Sequence, residues 1–348
     1  MISEPIITKE ILNLISEIDE FKGQWRALKT LSPEMLNQLR RIATIESIGS
    51  STRIEGAKLS DKEVAALLAN LKIESFQNRD EEEVAGYGEA MDLVFDSWES
   101  MPITENSIHQ LHRVLLQYST KDARHRGDYK KNPNNVAAFD ESGQQVGIVF
   151  ETATPFETPF EMEKLMDWWE KAQKEDQLHP LLMIGMFIVW FLAIHPFQDG
   201  NGRLSRIITT FLLLRFGYAY APYSSLESVI EENKSGYYTA LRKTQQTLKS
   251  EQPDWETWLT FFLRCLARQK ERLSRKIATE QEVLMDLSEL ATSIIALFET
   301  KTKVTVAEAV KATGANRNTV KASLQGLVKR GLIVQQGKGR GAHYTLLI

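Results

Sequence analysis

His195-Pro196-Phe197-Gln198-Asp199-Gly200-Asn201-Gly202-Arg203-Leu204-Ser205-Arg206 is the stretch around which the rest of the chain can be placed. Apolar or small residues fill Leu181 to Ile194 before it, and an amphipathic run follows from Leu204 to Phe216. The pattern predicts a buried helix ending at His195, a tight loop, and a second helix starting near Gly202. The loop concentrates chemistry. Asp199 is a hard oxygen ligand suited to Mg²⁺ beside phosphates. Gly200 and Gly202 permit backbone shapes that aim successive N–H groups at one point. The first turn of the next helix adds free donors and the positive end of its dipole. Asn201, Arg203 and Arg206 supply further donors and charge, and the two arginines are three residues apart, on one helix face. His195 titrates near neutral pH and can serve as a base. A plain capped turn needs no base, acid and two arginines together, so the stretch reads as an anion pocket with its own base.

Composition sets the outer bounds. The 348 residues suffice for two or three domains, and 43% hydrophobic with 25% charged residues is ordinary globular composition. The single cysteine, Cys265, excludes an internal disulfide framework and fits a reducing compartment, so a cytoplasmic location is expected. Met1 to Glu20 lacks the apolar core of a secretory signal, and the run before His195 is too short to span a bilayer. No membrane partner is expected. Charge is uneven: residues 291–348 hold nine Lys or Arg against two Asp or Glu, a net of +7, while the remainder is net −11. The C-terminal piece therefore reads as a separate basic module.

Outward from the loop, Ser50-Ser51-Thr52-Arg53-Ile54-Glu55-Gly56 places Ser51 and Glu55 on one helical face, with Gly56 suited to a helix end. Ser32-Pro33 is a helix start, and Ser60 with Glu63 has capping-box spacing. Asp80 to Glu83 reads as the charged first turn of another helix. His109 and His112 lie three apart in a helix from Thr104 to Tyr118. With no partner ligands nearby they read as surface or half-buried histidines rather than a metal site. Val136–Phe139 and Val146–Phe150 are strand-like, joined by a turn at Asp140–Gly143. Tyr238 opens a later helix, and Asp254 to Leu287 forms one or two long helices. In the basic module, helices are expected at Ile294–Phe298, Val306–Ala312 and Asn316–Lys329. Strands Leu332–Gln335 and His343–Leu347 follow, joined through Gly337-Lys338-Gly339-Arg340-Gly341.

The stretch at 195–206 resembles the signature of the Fic family, His-x-Phe-x-Asp/Glu-Gly-Asn-Gly-Arg-x-x-Arg, at every fixed position. Ser51 to Gly56 resembles the family's inhibitory motif, Ser/Thr-x-x-x-Glu-Gly/Asn, in the subclass that carries it N-terminal to the core. The resemblance covers roughly residues 35–250. It implies a mainly α fold: a Fic-type helical core with a small β-hairpin flap. The last module resembles a winged helix-turn-helix domain. The resulting layout is an N-terminal helical region at 1–100 with the inhibitory motif at 51–56, and a catalytic core at 101–225 with the flap at about 136–150. Packing helices at 226–288 and a winged-helix domain at 289–348 complete it.

The resemblance also implies an activity, protein adenylylation: transfer of AMP from ATP to a Tyr, Thr or Ser hydroxyl of a target protein held along the flap, with pyrophosphate released. In it His195 is the base and Asp199 holds Mg²⁺. Gly200, Asn201, Gly202 and Arg203 fix the phosphates, and Arg206 holds the γ-phosphate. Tyr238 flanks the adenine or merely packs at a helix start. Ser51, Glu55 and Gly56 form the inhibitory element, with Glu55 pairing to Arg206. Removal of AMP and use of another nucleotide or a phosphocholine donor are alternatives inside the family. A transcription regulator with a sensory or inactive Fic part is an alternative of another class. There Arg317, Asn318 and Lys321 would face bases while Lys338 and Arg340 touch phosphates. The winged helix serves equally for protein contacts or homodimerisation.

Overall fold

The computed structural model describes residues 3–28, 31–70, 76–139, 145–285, 289–299, 301–329, 332–337 and 341–346. Contacts divide the chain into two compact units, Met1–Arg272 and Leu273–Ile348.

The first unit is helical. Its N-terminal helices are α1 (Lys9–Ala27), α2 (Pro33–Ile54), α3 (Asp61–Ala69), α4 (Arg79–Ser97) and α5 (Glu105–Leu115). Each starts at a residue whose side chain accepts a backbone N–H of the first turn: Thr8, Ser32, Ser60, Asn78 and Thr104. The expected capping box at Ser60 and Glu63 is complete. Strands β1 (Val136–Phe139) and β2 (Gln145–Phe150) pair antiparallel, Val136 opposite Phe150 and Phe139 opposite Gln145, with two register shifts between. The expected turn at Asp140–Gly143 lies outside the described residues. Then follow α6 (Thr158–Glu175), α7 (Pro180–Ile194), α8 (Asn201–Arg215), α9 (Leu226–Glu232), α10 (Lys234–Thr247) and the long α11 (Trp255–Met285), within which the division into units falls.

Helix α7 is the axis of this unit. Apart from Pro180 and Trp190 every residue of it is buried, against α6, α8 and α10. It approaches α11 closely at Gly185, whose carbonyl accepts the indole N–H of Trp258 at 2.7 Å. An all-round apolar helix of 15 residues belongs to a protein core. Among the described residues no helix is long and apolar enough to cross a membrane.

The second unit holds α12 (Glu289–Ala296), α13 (Val306–Thr313), α14 (Arg317–Lys329) and a hairpin of β3 (Ile333–Gln336) and β4 (His343–Leu346). Val304 bridges Tyr344 through two backbone hydrogen bonds, adding a short third strand position. Ile294, Val304, Ala309, Val320, Leu324 and Ile333 are fully buried in its core. Lys338 and Arg340 lie outside the described residues.

Helix α4 carries Arg79 and Glu83, and α5 carries His112. The packing of these two helices depends on Gly86. A Cβ there would stand 2.0 Å from the Leu115 carbonyl oxygen, a backbone atom that cannot swing aside. Gly86→Ala is therefore expected to cost about 1–3 kcal/mol, seen as a lower urea midpoint. An unchanged midpoint would contradict this contact.

Candidate active site

Helix α7 ends with His195 in the left-handed conformation (φ 54°), and Gly200 starts α8 in the same region (φ 79°). The four residues between them form the loop. A β-carbon-bearing residue at positive φ is held there only by its surroundings. Those surroundings are explicit. Asn201 uses both ends of its amide on Phe197: Oδ1 accepts the Phe197 N–H at 2.9 Å, and Nδ2 donates to the Phe197 carbonyl at 2.7 Å. Asn134 Nδ2 donates to the carbonyls of His195 and Phe197. The Phe197 ring is fully buried and stacks on His112, with centroids 3.8 Å apart.

This geometry gives one residue a second role and corrects one expectation. The Asn201 side chain also shapes the loop, spending its Oδ1 and one Nδ2 hydrogen on Phe197. His112 is fully buried, not at or near the surface. Its Nδ1 accepts the Gly127 N–H at 2.9 Å, so Nε2 carries the proton and donates to the Asp199 carbonyl at 3.0 Å. Burial pushes its pKa down to about 4. Gly202 also differs in reason from its sequence reading. It is helical, and its lack of a side chain makes room for Glu55, whose Oε1 would lie 2.2 Å from a Cβ at that position.

His195 is half-buried, and its Nδ1 donates to the Leu192 carbonyl at 3.3 Å. That bond leaves Nε2 unprotonated, the form a base requires. Burial first, then the nearby Lys130, push its pKa down to about 4, so it is neutral at physiological pH. Asp199 is gripped by two guanidinium groups, Arg79 at 2.7 Å and Arg203 at 3.1 Å. Burial opposes its ionisation, but Arg203, the Gly200 N–H and Arg79 outweigh that and hold the carboxyl below its ordinary value. Arg203 is buried and also pairs with Glu83 at 3.0 Å, and Arg79 closes the ring by pairing with Glu83 at 2.7 Å. Among the described residues no three His, Cys, Asp or Glu side chains converge as a metal cage. A carboxylate beside an uncapped helix start is a donor of the kind Mg²⁺ takes, since that ion commonly uses one or two carboxylates plus phosphates.

Glu55, the C-cap of α2, reaches Arg206 at 2.8 Å. Arg206 is buried, and its Nε donates to Ser51 Oγ at 2.8 Å and its Nη2 to the Ser51 carbonyl at 3.0 Å. Gly56 has φ 110°, a conformation that suits the exit from α2 to glycine. The first-turn N–H groups of α8 receive no side-chain cap, and the Glu55 carboxylate lies against Gly202 at that end. Glu55 therefore fills an anion position made of a helix N-terminus and a buried guanidinium. Around it opens a cavity of about 760 Å³, lined by Glu55, His195, Asp199, Gly200, Asn201, Gly202, Arg203, Tyr238 and Arg242, with Asn134 and Phe150 at the hairpin side. The size suits a nucleotide.

The arrangement of helices around one such loop defines a class. Residues 102–213 match the Fic/DOC family. The chain carries a Fic domain and has the fold of Fic family proteins. Its sequence is 26% identical over 206 residues to the protein adenylyltransferase Fic of Drosophila mojavensis, covering 59% of this chain and 38% of that protein. It is 27% identical over 185 residues to the namesake in Drosophila willistoni, covering 53% and 34%. The chain thus spans little more than a third of the length of these curated relatives. A Fic family protein from Desulfovibrio desulfuricans G20 superposes with a TM-score of 0.65 at 22% identity, covering 99% of this chain and 98% of that one. A Fic-domain-containing signaling protein from Bacteroides thetaiotaomicron VPI-5482 gives 0.60 at 25% identity, covering 76% and 94%.

Buried, neutral His112 predicts a pH dependence. A histidine with a folded pKa near 4 and an ordinary value of 6.5 stabilises the fold fully above the ordinary value. That stabilisation is lost as pH falls toward the folded value, because the unfolded chain then binds the extra proton. His112→Phe is expected to be less stable than wild type at pH 7, yet with a flatter loss of stability between pH 6.5 and 4. Urea unfolding across that window measures both, and parallel profiles would contradict the assignment.

Proposed function

We propose that the chain is a protein adenylyltransferase that rests in an inhibited state. The observation that carries this reading is the convergence on one cavity of a neutral His195, the Asp199 carboxylate and the uncapped start of α8, with Glu55, paired to the buried Arg206, seated in the anion position.

The target hydroxyl attacks the α-phosphorus of ATP. The new bond is O–Pα, the bond broken is that between Pα and the bridging oxygen, pyrophosphate leaves, and the hydroxyl proton passes to His195 Nε2. The N–H groups of Asn201 and Gly202 donate to phosphate oxygens, Gly200 gives the loop its turn and holds Asp199, and Arg206 holds the γ-phosphate in line. Asp199 would hold Mg²⁺ jointly with the phosphates, which neutralises charge on the leaving group. Arg203, locked between Asp199 and Glu83, keeps that carboxylate aimed rather than reaching far into the cavity. Tyr238, whose hydroxyl donates to the Ile54 carbonyl at 3.5 Å, borders the base together with Arg242. The hairpin offers strand edges to an extended target segment.

Glu55 inhibits because it holds the group the γ-phosphate needs. Glu55→Gly is expected to raise AMP transfer to target proteins by at least tenfold, and His195→Ala in that background to abolish it. Mass spectrometry of lysate treated with ATP and each variant measures both. Equal transfer by wild type and Glu55→Gly would refute the inhibition.

For the second unit we propose a separate role in DNA binding, on a winged-helix reading of its helices and hairpin. Helix α14 exposes Arg317, Asn318, Lys321 and Gln325 and carries no acidic residue. A cationic, acid-free helix face suits a major groove. The full chain is expected to retard duplex DNA in a salt-dependent way, and Arg317→Ala with Lys321→Ala to weaken it. No retardation at low salt would remove this role and leave protein contacts or dimerisation.

A further inference from the structure

Lys130 is a buried cation that the transfer chemistry leaves unused. It is 2% exposed. Its ammonium donates to Asn134 Oδ1 at 2.7 Å, Thr152 Oγ at 3.0 Å and the Ile194 carbonyl at 3.0 Å. Glu157 acts on it only through space, and burial pushes its pKa down to about 8. Keeping an ammonium inside a protein on neutral acceptors is costly, so a cation at this position calls for a reason beyond packing.

The identity of the acceptors supplies the reason. Asn134 stands two residues before β1, and Thr152 two residues after β2, so they are the two roots of the hairpin. Ile194 is the last residue of α7, immediately before His195. The Lys130 N–H donates to the Pro196 carbonyl at 2.9 Å. Asn134 in turn holds the carbonyls of His195 and Phe197. Every backbone carbonyl from Ile194 to Phe197 is thus bound by Lys130 or by its hydrogen-bond partner. We propose that Lys130 is a positioning residue that joins the hairpin roots to the backbone on both sides of His195, and whose charge adds to burial in opposing a second positive charge on that ring.

The inference rests on His195 being the base. A target strand lying on the hairpin then meets an imidazole fixed by the same residue that anchors the hairpin. The charges acting on His195 are Lys130, which favours the neutral ring, and Glu55 and Asp199, which favour the protonated one. Burial is the larger force against a charged ring and Lys130 adds to it, and neutral imidazole is what proton abstraction requires.

The test is a titration of His195 by carbon-13 histidine NMR on the full chain without ATP or target. Four proteins are compared: wild type, Lys130→Met, Lys130→Gln and Lys130→Arg. Glutamine keeps donors and drops the charge, and arginine keeps the charge. The pKa of His195 is expected to rise by roughly half a unit to one unit in the Met and Gln variants and to stay at the wild-type value in the Arg variant. A purely packing role would not sort the variants by charge. If the Met variant does not fold, the Gln and Arg variants alone decide the matter. His195 titrating at the wild-type pH in the uncharged variants overturns the proposal. The readout is independent of AMP transfer. Retention of transfer by His195→Ala with Glu55→Gly would instead overturn the reading of His195 as base.

Discussion

A guanidinium sealed inside a protein needs an anion, and the site turns on which anion Arg206 has. Arginine does not shed its proton, and the Arg206 side chain is only 3% exposed. Burial would pull its pKa down, but Glu55 first, with Tyr237 and Tyr87, holds it above the ordinary value. Breaking such a pair with nothing in its place costs about 3–5 kcal/mol. The Glu55 side chain is 32% exposed and can be taken up by water. The asymmetry decides the direction of change: Glu55 can leave and Arg206 cannot, provided another anion arrives. Ser51, with its hydroxyl and carbonyl both on Arg206, keeps the arginine aimed. The end of α2 that carries Glu55 is itself pinned, since Arg53 pairs with Glu231 of α9 at 2.7 Å and with Asp61 of α3 at 2.9 Å.

The rest of the loop is built so that little else moves. His112, Asn201, Asn134 and Lys130 all hydrogen-bond to its backbone. Arg79, Glu83, Arg203 and Asp199 close a ring of alternating charge that fixes the carboxylate. Side chains held this way lose little freedom on binding a ligand.

How much of this is legible in the chain differs by kind of interaction. The buried helix α7, the loop, the start of α8 and the hairpin follow from periodicity and glycine placement. The pairing of Glu55 with Arg206 follows from the resemblance of two motifs 151 positions apart. What stays hidden is long-range and polar. Arg79 sits at the start of a helix whose acidic first turn stands out as Asp80 to Glu83, and nothing local shows that it reaches Asp199. His112 carries a visible signal, its three-residue spacing from His109, but spacing does not tell a surface ring from one stacked under Phe197. Lys130 looks like one more charge in a basic stretch, and only its acceptors on three separate segments distinguish it. The hold of Asn201 on the Phe197 backbone is hidden because a signature fixes residue type and not the direction of an amide.

The central claim is that Glu55 and the γ-phosphate compete for Arg206. Isothermal titration of ATP and of ADP into wild type and Glu55→Gly tests it without any target protein. In wild type the third phosphate finds Arg206 taken, so ATP and ADP should bind with nearly equal affinity. In Glu55→Gly ATP should bind about tenfold or more tightly than ADP, as a charge-assisted contact to the γ-phosphate is gained. A wild-type preference for ATP as large as that of the variant would contradict the account.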